Sequence, residues 1–169
     1  LGTKKVFKVL NRILSVSKRS DQVHDIDRSI FGRRHSGFAF LIPDVLRHGM
    51  HRHLGQNGLR ETILSIVDPD MRQPLETDAL MLALFPEDDD SQPKFPPISQ
   101  VAIATLAPES GPLLTGREGA DGWGDLLLAS FASRLPGLRA SSRGYLIRQF
   151  LAVPGRADIT EDTIIVTFD

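Results

Sequence analysis

The sequence predicts an α+β fold, mostly α-helical, in which a helical domain ends in a C-terminal β-hairpin. Three observations carry that expectation. Apolar residues recur at helical spacing in several stretches between Ser36 and Val153. Turn-forming clusters, "QNG", "DPD" and "PGLRA", punctuate those stretches. Period-two alternation around a short polar turn marks the end, in "RADITEDTIIVTF".

Val6, Phe7, Val9, Leu10, Ile13, Leu14 and Val16 predict an amphipathic helix over 4–19, with Lys4, Lys5, Lys8 and Arg12 on its polar side. "SKRSDQVHDIDRS" then reads as a polar linker, so residues 1–35 form a basic arm and 36–169 the domain proper. Ser36 can cap the next segment, in which Pro43 either kinks a helix or starts one after an extended apolar run. Leu41, Ile42, Val45, Leu46, Met50 and Leu54 form its apolar stripe, and "QNG" is expected to end it. "LRETILSIV" and "PLETDALMLALF" supply two more helices, with Pro74 in the first turn of the latter. Residues 86–97, with four consecutive acids and four prolines, form a solvated loop. Residues 99–106 fit a strand or a helix equally.

The last quarter is the most legible. Asp121 can cap a helix that carries Trp123, Leu126, Leu127, Phe131 and Leu135 on one face. Ser141 or Ser142 can start another that buries Tyr145, Leu146, Phe150 and Leu151. Gly155 is expected to terminate it in a left-handed conformation, and a hairpin over 157–168 follows. The order over 121–169 is therefore helix, turn, helix, hairpin. About five or six helices are expected in all. Their core should contain Leu41, Val45, Leu46, Leu64, Leu80, Leu84, Trp123, Leu127, Phe131, Leu146, Phe150 and Val166.

Composition bounds the function. At 169 residues, 41% hydrophobic and 24% charged, the chain has enough apolar material for a packed core. It has no cysteine, which excludes disulfides, thiolate metal sites and cysteine nucleophiles and fits a reducing compartment. The net charge of −1 hides an asymmetry: residues 1–36 balance to +6 and the remainder to −7. A basic arm on an acidic body suits an acidic protein neighbour better than extensive DNA contact. No apolar run is long enough to span a membrane. The chain opens on Leu1 and stops within an expected strand, so a fragment of a longer protein is expected.

The candidates for chemistry are few. His48, His51 and His53 cluster in "RHGMHRHLG". His48 and His51 share a helix side, but no HExxH and no third ligand accompany them. Cationic side chains at a helix C-terminus complement its dipole, so the three read as a solvated helix end. Neither a G-x-S-x-G elbow nor a phosphate-binding GxxxxGK[ST] loop is present. The acidic loop lacks EF-hand spacing. Glu61, Asp78, Glu118, Asp121 and Asp125 are scattered. The expectation is no catalytic residue, no metal and no cofactor.

The order helix–turn–helix–hairpin is also that of a winged helix. On that alternative the helix at 141–153 presents Arg143 and Arg148 to nucleic acid and the hairpin is the wing. Asp158, Glu161 and Asp162 in the wing oppose it, since phosphates call for Lys or Arg there.

The same segment carries a family resemblance. Ser142, Tyr145, Leu146, Arg148, Phe150, Leu151, Gly155, Ile164 and Val166 stand in a pattern of small residue, apolar, basic, Phe-Leu, Gly-ended loop and strand pair. In this the chain resembles the C-terminal part of tape-measure and accessory proteins of phage-tail-like contractile injection systems. Ser36 to Met50, with Gly37 and Pro43, is similar to a second segment of that family. The two blocks cover roughly a third of the chain, and they are packing patterns rather than catalytic signatures. The resemblance implies a non-enzymatic assembly module of a bacterial particle. Its partners would be tube, baseplate or cap proteins rather than a small-molecule substrate, met in the cytoplasm during assembly. The basic arm residues Lys4, Lys5, Lys8 and Arg12 would be the partner contacts.

Overall fold

The computed structural model describes residues 4–7, 28–30, 35–87, 92–110, 113–159 and 164–168. Strands β1 (Lys4–Phe7) and β2 (Arg28–Ile30) come first. A 3-10 turn (Ser36–Leu41) leads into α1 (Ile42–Arg47), α2 (Met50–His53) and α3 (Gly55–Ile66). Then come α4 (Pro69–Glu76), α5 (Ala79–Leu84), α6 (Gln100–Ser110) and α7 (Gly119–Ser133). The chain ends in α8 (Arg143–Leu146), a π-turn (Ile147–Leu151) and strands β3 (Gly155–Ile159) and β4 (Ile164–Phe168). The fold is α+β and mostly helical, with the C-terminal antiparallel hairpin in place.

The core is built around α7, which is buried continuously from Gly122 to Ala132. A helix apolar on one face alone would leave a solvated side. Here Leu126, Leu127, Leu128, Ala129 and Phe131 surround the whole axis, so α7 takes the central position. Helix α3 packs along it, with Thr62, Ser65 and Ile66 against Gly124, and α1, α6 and the 3-10 turn cover other sides. Ten of the twelve expected core residues are buried; Leu46 and Phe150 are partly buried against the core.

Several boundaries differ from the sequence expectation for local reasons. Pro43 falls at the start of α1, which resolves the open choice: a short 3-10 turn hands over to a helix. The expected continuous helix to Leu54 is broken at Gly49, whose φ of 61° is left-handed. "QNG" opens α3 instead of closing its predecessor. Asp68 and Pro69 begin α4, so Pro74 lies inside that helix and not in a first turn. Asp78 caps a separate α5, its carboxylate accepting from the Leu80 and Met81 amides at 2.9 and 3.2 Å. Of residues 99–106, all but Ser99 are helical, within α6. Asp121 lies in the first turn of α7 and does not cap it. Tyr145 is 43% exposed, not buried. Gly155 begins β3 without a left-handed φ; a Cβ there would lie 2.6 Å from the Thr167 carbonyl oxygen. These breaks yield eight α-helices among the described residues.

The largest difference is at the N-terminus. Lys4–Phe7, expected to start a basic helix, is a strand paired antiparallel with β4, Lys4 opposite Thr167 and Phe7 opposite Ile164. β2, within the expected linker, pairs with β3. The sheet order is β1-β4-β3-β2, so the hairpin lies in the middle and the two N-terminal strands form its edges. The rest of the expected 4–19 helix, Lys8 and Arg12 included, lies outside the described residues. Ala157 and Val166, opposite each other in the hairpin, are both fully buried. Phe168 stacks on Phe40 of the 3-10 turn with ring centroids 4.7 Å apart, joining sheet to helices. No described helix is long and apolar enough to cross a membrane.

Candidate functional site

The histidine cluster leads into a polar network between α1 and α7. Asp44, in the first turn of α1, is completely buried. A buried carboxylate requires donors. Ser130 Oγ donates to its Oδ1 at 2.7 Å, Arg134 Nη2 to Oδ2 at 2.6 Å, and Arg134 Nε lies 3.0 Å from both oxygens. Arg134 Nη2 also donates to the Phe40 carbonyl at 2.7 Å, and the guanidinium lies over the Phe131 ring. His48 Nε2 is 2.8 Å from Ser130 Oγ. Because the single Ser130 hydroxyl proton goes to Asp44, the histidine must be the donor in that contact. The imidazole is therefore held as its Nε2–H tautomer, with the lone pair on Nδ1. Burial lowers the His48 pKa; the Asp44 charge acts the other way, and Arg47 adds to the lowering.

The trio His48, Ser130 and Asp44 has the composition of a hydrolase triad but not its wiring. A nucleophilic serine needs histidine between itself and the acid. Here the serine is in the middle and is fully buried. The arrangement fixes an imidazole and neutralises a carboxylate; it does not activate an oxygen.

His48 was expected at a solvated helix end and is instead half-buried and bonded inward. The left-handed turn at Gly49 takes His51 off the helical side it would share with His48. His53 stacks on the Trp123 indole, ring centroids 6.4 Å apart and planes 24° apart. Among the described residues no group of three or more His, Asp or Glu side chains could hold a metal. His48, His53 and Trp123 instead border a cavity of about 180 Å³, closed by Pro96, Pro97, Ile98 and Ser99 of the proline-rich segment, with Ala102 and Leu126. Trp123 Nε1 donates to the Pro96 carbonyl at 3.0 Å, which ties that segment down.

A second network surrounds Asp125, buried on α7. Arg117 donates to both its oxygens, at 2.6 and 3.1 Å, Thr115 donates at 2.5 Å, and Arg143 also donates to Oδ1. Burial pushes the Asp125 pKa up, but these donors and both guanidinium charges outweigh it and leave it below the ordinary carboxylate range. Arg143 Nη1 further donates to the Ser65 carbonyl at 3.2 Å. Arg143, which the winged-helix alternative gives to nucleic acid, is thus partly buried and paired with Asp125 and the Ser65 carbonyl. Arg148 is exposed on the π-turn, and no described network joins the two. Next to this network a cleft of about 420 Å³ is lined by Glu61, Arg72, Glu118 and Asp121, where Arg72 pairs with Glu61 at 2.7 Å. Lys4 and Lys5, expected as partner contacts, sit on the edge strand β1.

Asp44 and Arg134 are not among the residues the sequence singles out, and Ser130 is expected only on a helix whose apolar face is structural. Asp44 and His48 are four apart on α1, and Ser130 and Arg134 four apart at the end of α7. That spacing puts each pair on one side of its helix, but nothing in the sequence brings the two sides together. Buried Arg60 was also missed. It donates to the Glu76 and Phe85 carbonyls at 3.0 and 3.3 Å, at the ends of α4 and α5, where its charge complements both dipoles. Comparison of the chain with family models, with curated proteins and with solved structures finds no match.

Proposed function

We propose that this chain is a non-enzymatic structural module that acts through protein–protein contacts, as an assembly component of a contractile, phage-tail-like apparatus. The observation that carries the protein-contact reading is the sheet order β1-β4-β3-β2, which puts two short strands of the basic N-terminal segment at the edges of the sheet. Edge strands offer main-chain donors and acceptors to a further strand. Lys4 and Lys5 on one edge and Arg28 on the other favour an acidic partner. The side chains with chemical potential, Asp44, Ser130 and Asp125, are buried and engaged in holding helices together, which fits a scaffold. The injection-apparatus part of the reading rests on the resemblance of segments 36–50 and 141–169, and tube, baseplate or cap proteins are the partners it implies.

The test is co-purification from cells that assemble such particles. The tagged chain should elute with particle components, and Lys4→Glu with Lys5→Glu should release it while its circular dichroism stays unchanged. Elution of the unaltered chain as free monomer from such a lysate would refute the reading. The nucleic-acid alternative is less favoured because Arg143 is paired with Asp125 and Ser65.

A further inference from the structure

The cavity beside His48 has a chemistry that the assembly reading does not use. Its volume, about 180 Å³, is near that of the cavity of about 150 Å³ known to bind benzene. Trp123, Leu126, Pro96, Ile98 and Ala102 supply apolar walls, and no Lys, Arg, Asp or Glu lines it. Pro97, Ser99 and His53 are exposed, so its rim reaches the surface.

His53 and Ser99 stand at its exposed rim, while the two polar groups of its inner wall, Trp123 and His48, have their protons already engaged. The Trp123 N–H is spent on the Pro96 carbonyl, and the His48 Nε2–H is spent on Ser130, whose own proton is spent on buried Asp44. The imidazole thus has only a lone pair left to offer, and its burial, which lowers its pKa, keeps it in that form at neutral pH. Carboxylates and phosphates meet no Lys or Arg here, whereas a flat ring with one N–H or O–H matches both the walls and the acceptor.

We propose that this cavity is a binding site for a neutral aromatic ring bearing a single hydrogen-bond donor, of the phenol or indole class. The ring packs against Trp123 and Leu126 and donates to His48. Such a group could come as a free molecule or as a tyrosine or tryptophan side chain of another protein.

The experiment is a titration of the ¹⁵N-labelled full chain at neutral pH, following the Trp123 indole N–H and the His48 ring nitrogens. The probes are p-cresol, indole, toluene and benzoate, with N-acetyltyrosinamide and N-acetyltryptophanamide. Saturable shifts are expected with p-cresol and indole, and binding at least about fivefold weaker for toluene, the value of one neutral hydrogen bond. Ala102→Phe, which fills the cavity from α6, should abolish the shifts with the circular dichroism unchanged. His48→Phe should erase the preference of p-cresol over toluene. Tighter binding of the blocked amino acids than of the small probes identifies a protein side chain as the source; equal or weaker binding identifies a free molecule. No saturable shift up to the solubility limit of any probe would overturn the proposal. So would toluene or benzoate binding as well as p-cresol, or unchanged binding in Ala102→Phe.

Discussion

Asp44 shows how one residue sets the character of its surroundings. It is buried without any exposed surface, and its two oxygens collect Ser130 and a two-pronged Arg134. Removing one member of such a pair strands the other, so Asp44→Ala should cost about 3 kcal/mol. Ser130→Ala, which deprives both Asp44 and His48 of a partner, should cost about 2 kcal/mol. Urea denaturation checks both. The pH dependence follows from His48. Its pKa in the folded chain is below the ordinary 6.5, so the unfolded chain binds more protons as pH falls through that value. The stability that the neutral imidazole contributes is fully present above about pH 6.5 and is lost as pH falls toward the lower folded value. His48→Gln should flatten that part of a stability–pH profile. Asp125 acts further down. Its folded pKa is depressed, so its contribution is present above the ordinary carboxylate range and disappears as pH falls through the folded value.

At the scale of elements, close approach decides more than propensity. Gly37, in the 3-10 turn, lies against the π-turn, where an added Cβ would be 1.9 Å from the Phe150 carbonyl oxygen and 2.7 Å from that of Leu151. Gly37→Ala must separate the two segments and should cost about 1–3 kcal/mol, measured by thermal or urea unfolding. Sequence pattern predicts α7 and the hairpin because both announce themselves locally, α7 by apolar residues at helical spacing and the hairpin by alternation. It did not reach β1. "KKVF" has no strand signal of its own and pairs with β4 from the far end of the chain, a non-local contact that overrides local periodicity. The α1–α2–α3 breaks were half visible, since Gly49 and Gly55 are in plain sight, but only the folded backbone shows both at positive φ. Of the candidate site, the histidines were visible and their partners were not. Ser130 and Arg134 are 82 and 90 residues away from theirs, and no helical period predicts which helix faces which.

At the scale of the whole molecule, the two ends of the chain close one sheet over the 3-10 turn, and the body hangs from α7. Three of the nine basic residues that give the N-terminal segment its charge, Lys4, Lys5 and Arg28, thereby lie on the edge strands of the sheet. Arg143 is partly buried with its guanidinium engaged by Asp125 and the Ser65 carbonyl, so we expect no retardation of duplex DNA even at low salt, and Arg143→Ala should lower stability without any effect on a gel shift. The assembly role is decided by size-exclusion chromatography with mass spectrometry of the tagged chain from a particle-forming lysate, beside its Lys4→Glu, Lys5→Glu variant. The unaltered chain should run in a high-mass fraction with tube, baseplate or cap proteins, and the folded variant at monomer mass. Both forms eluting alone, or both remaining in the particle fraction, would contradict it.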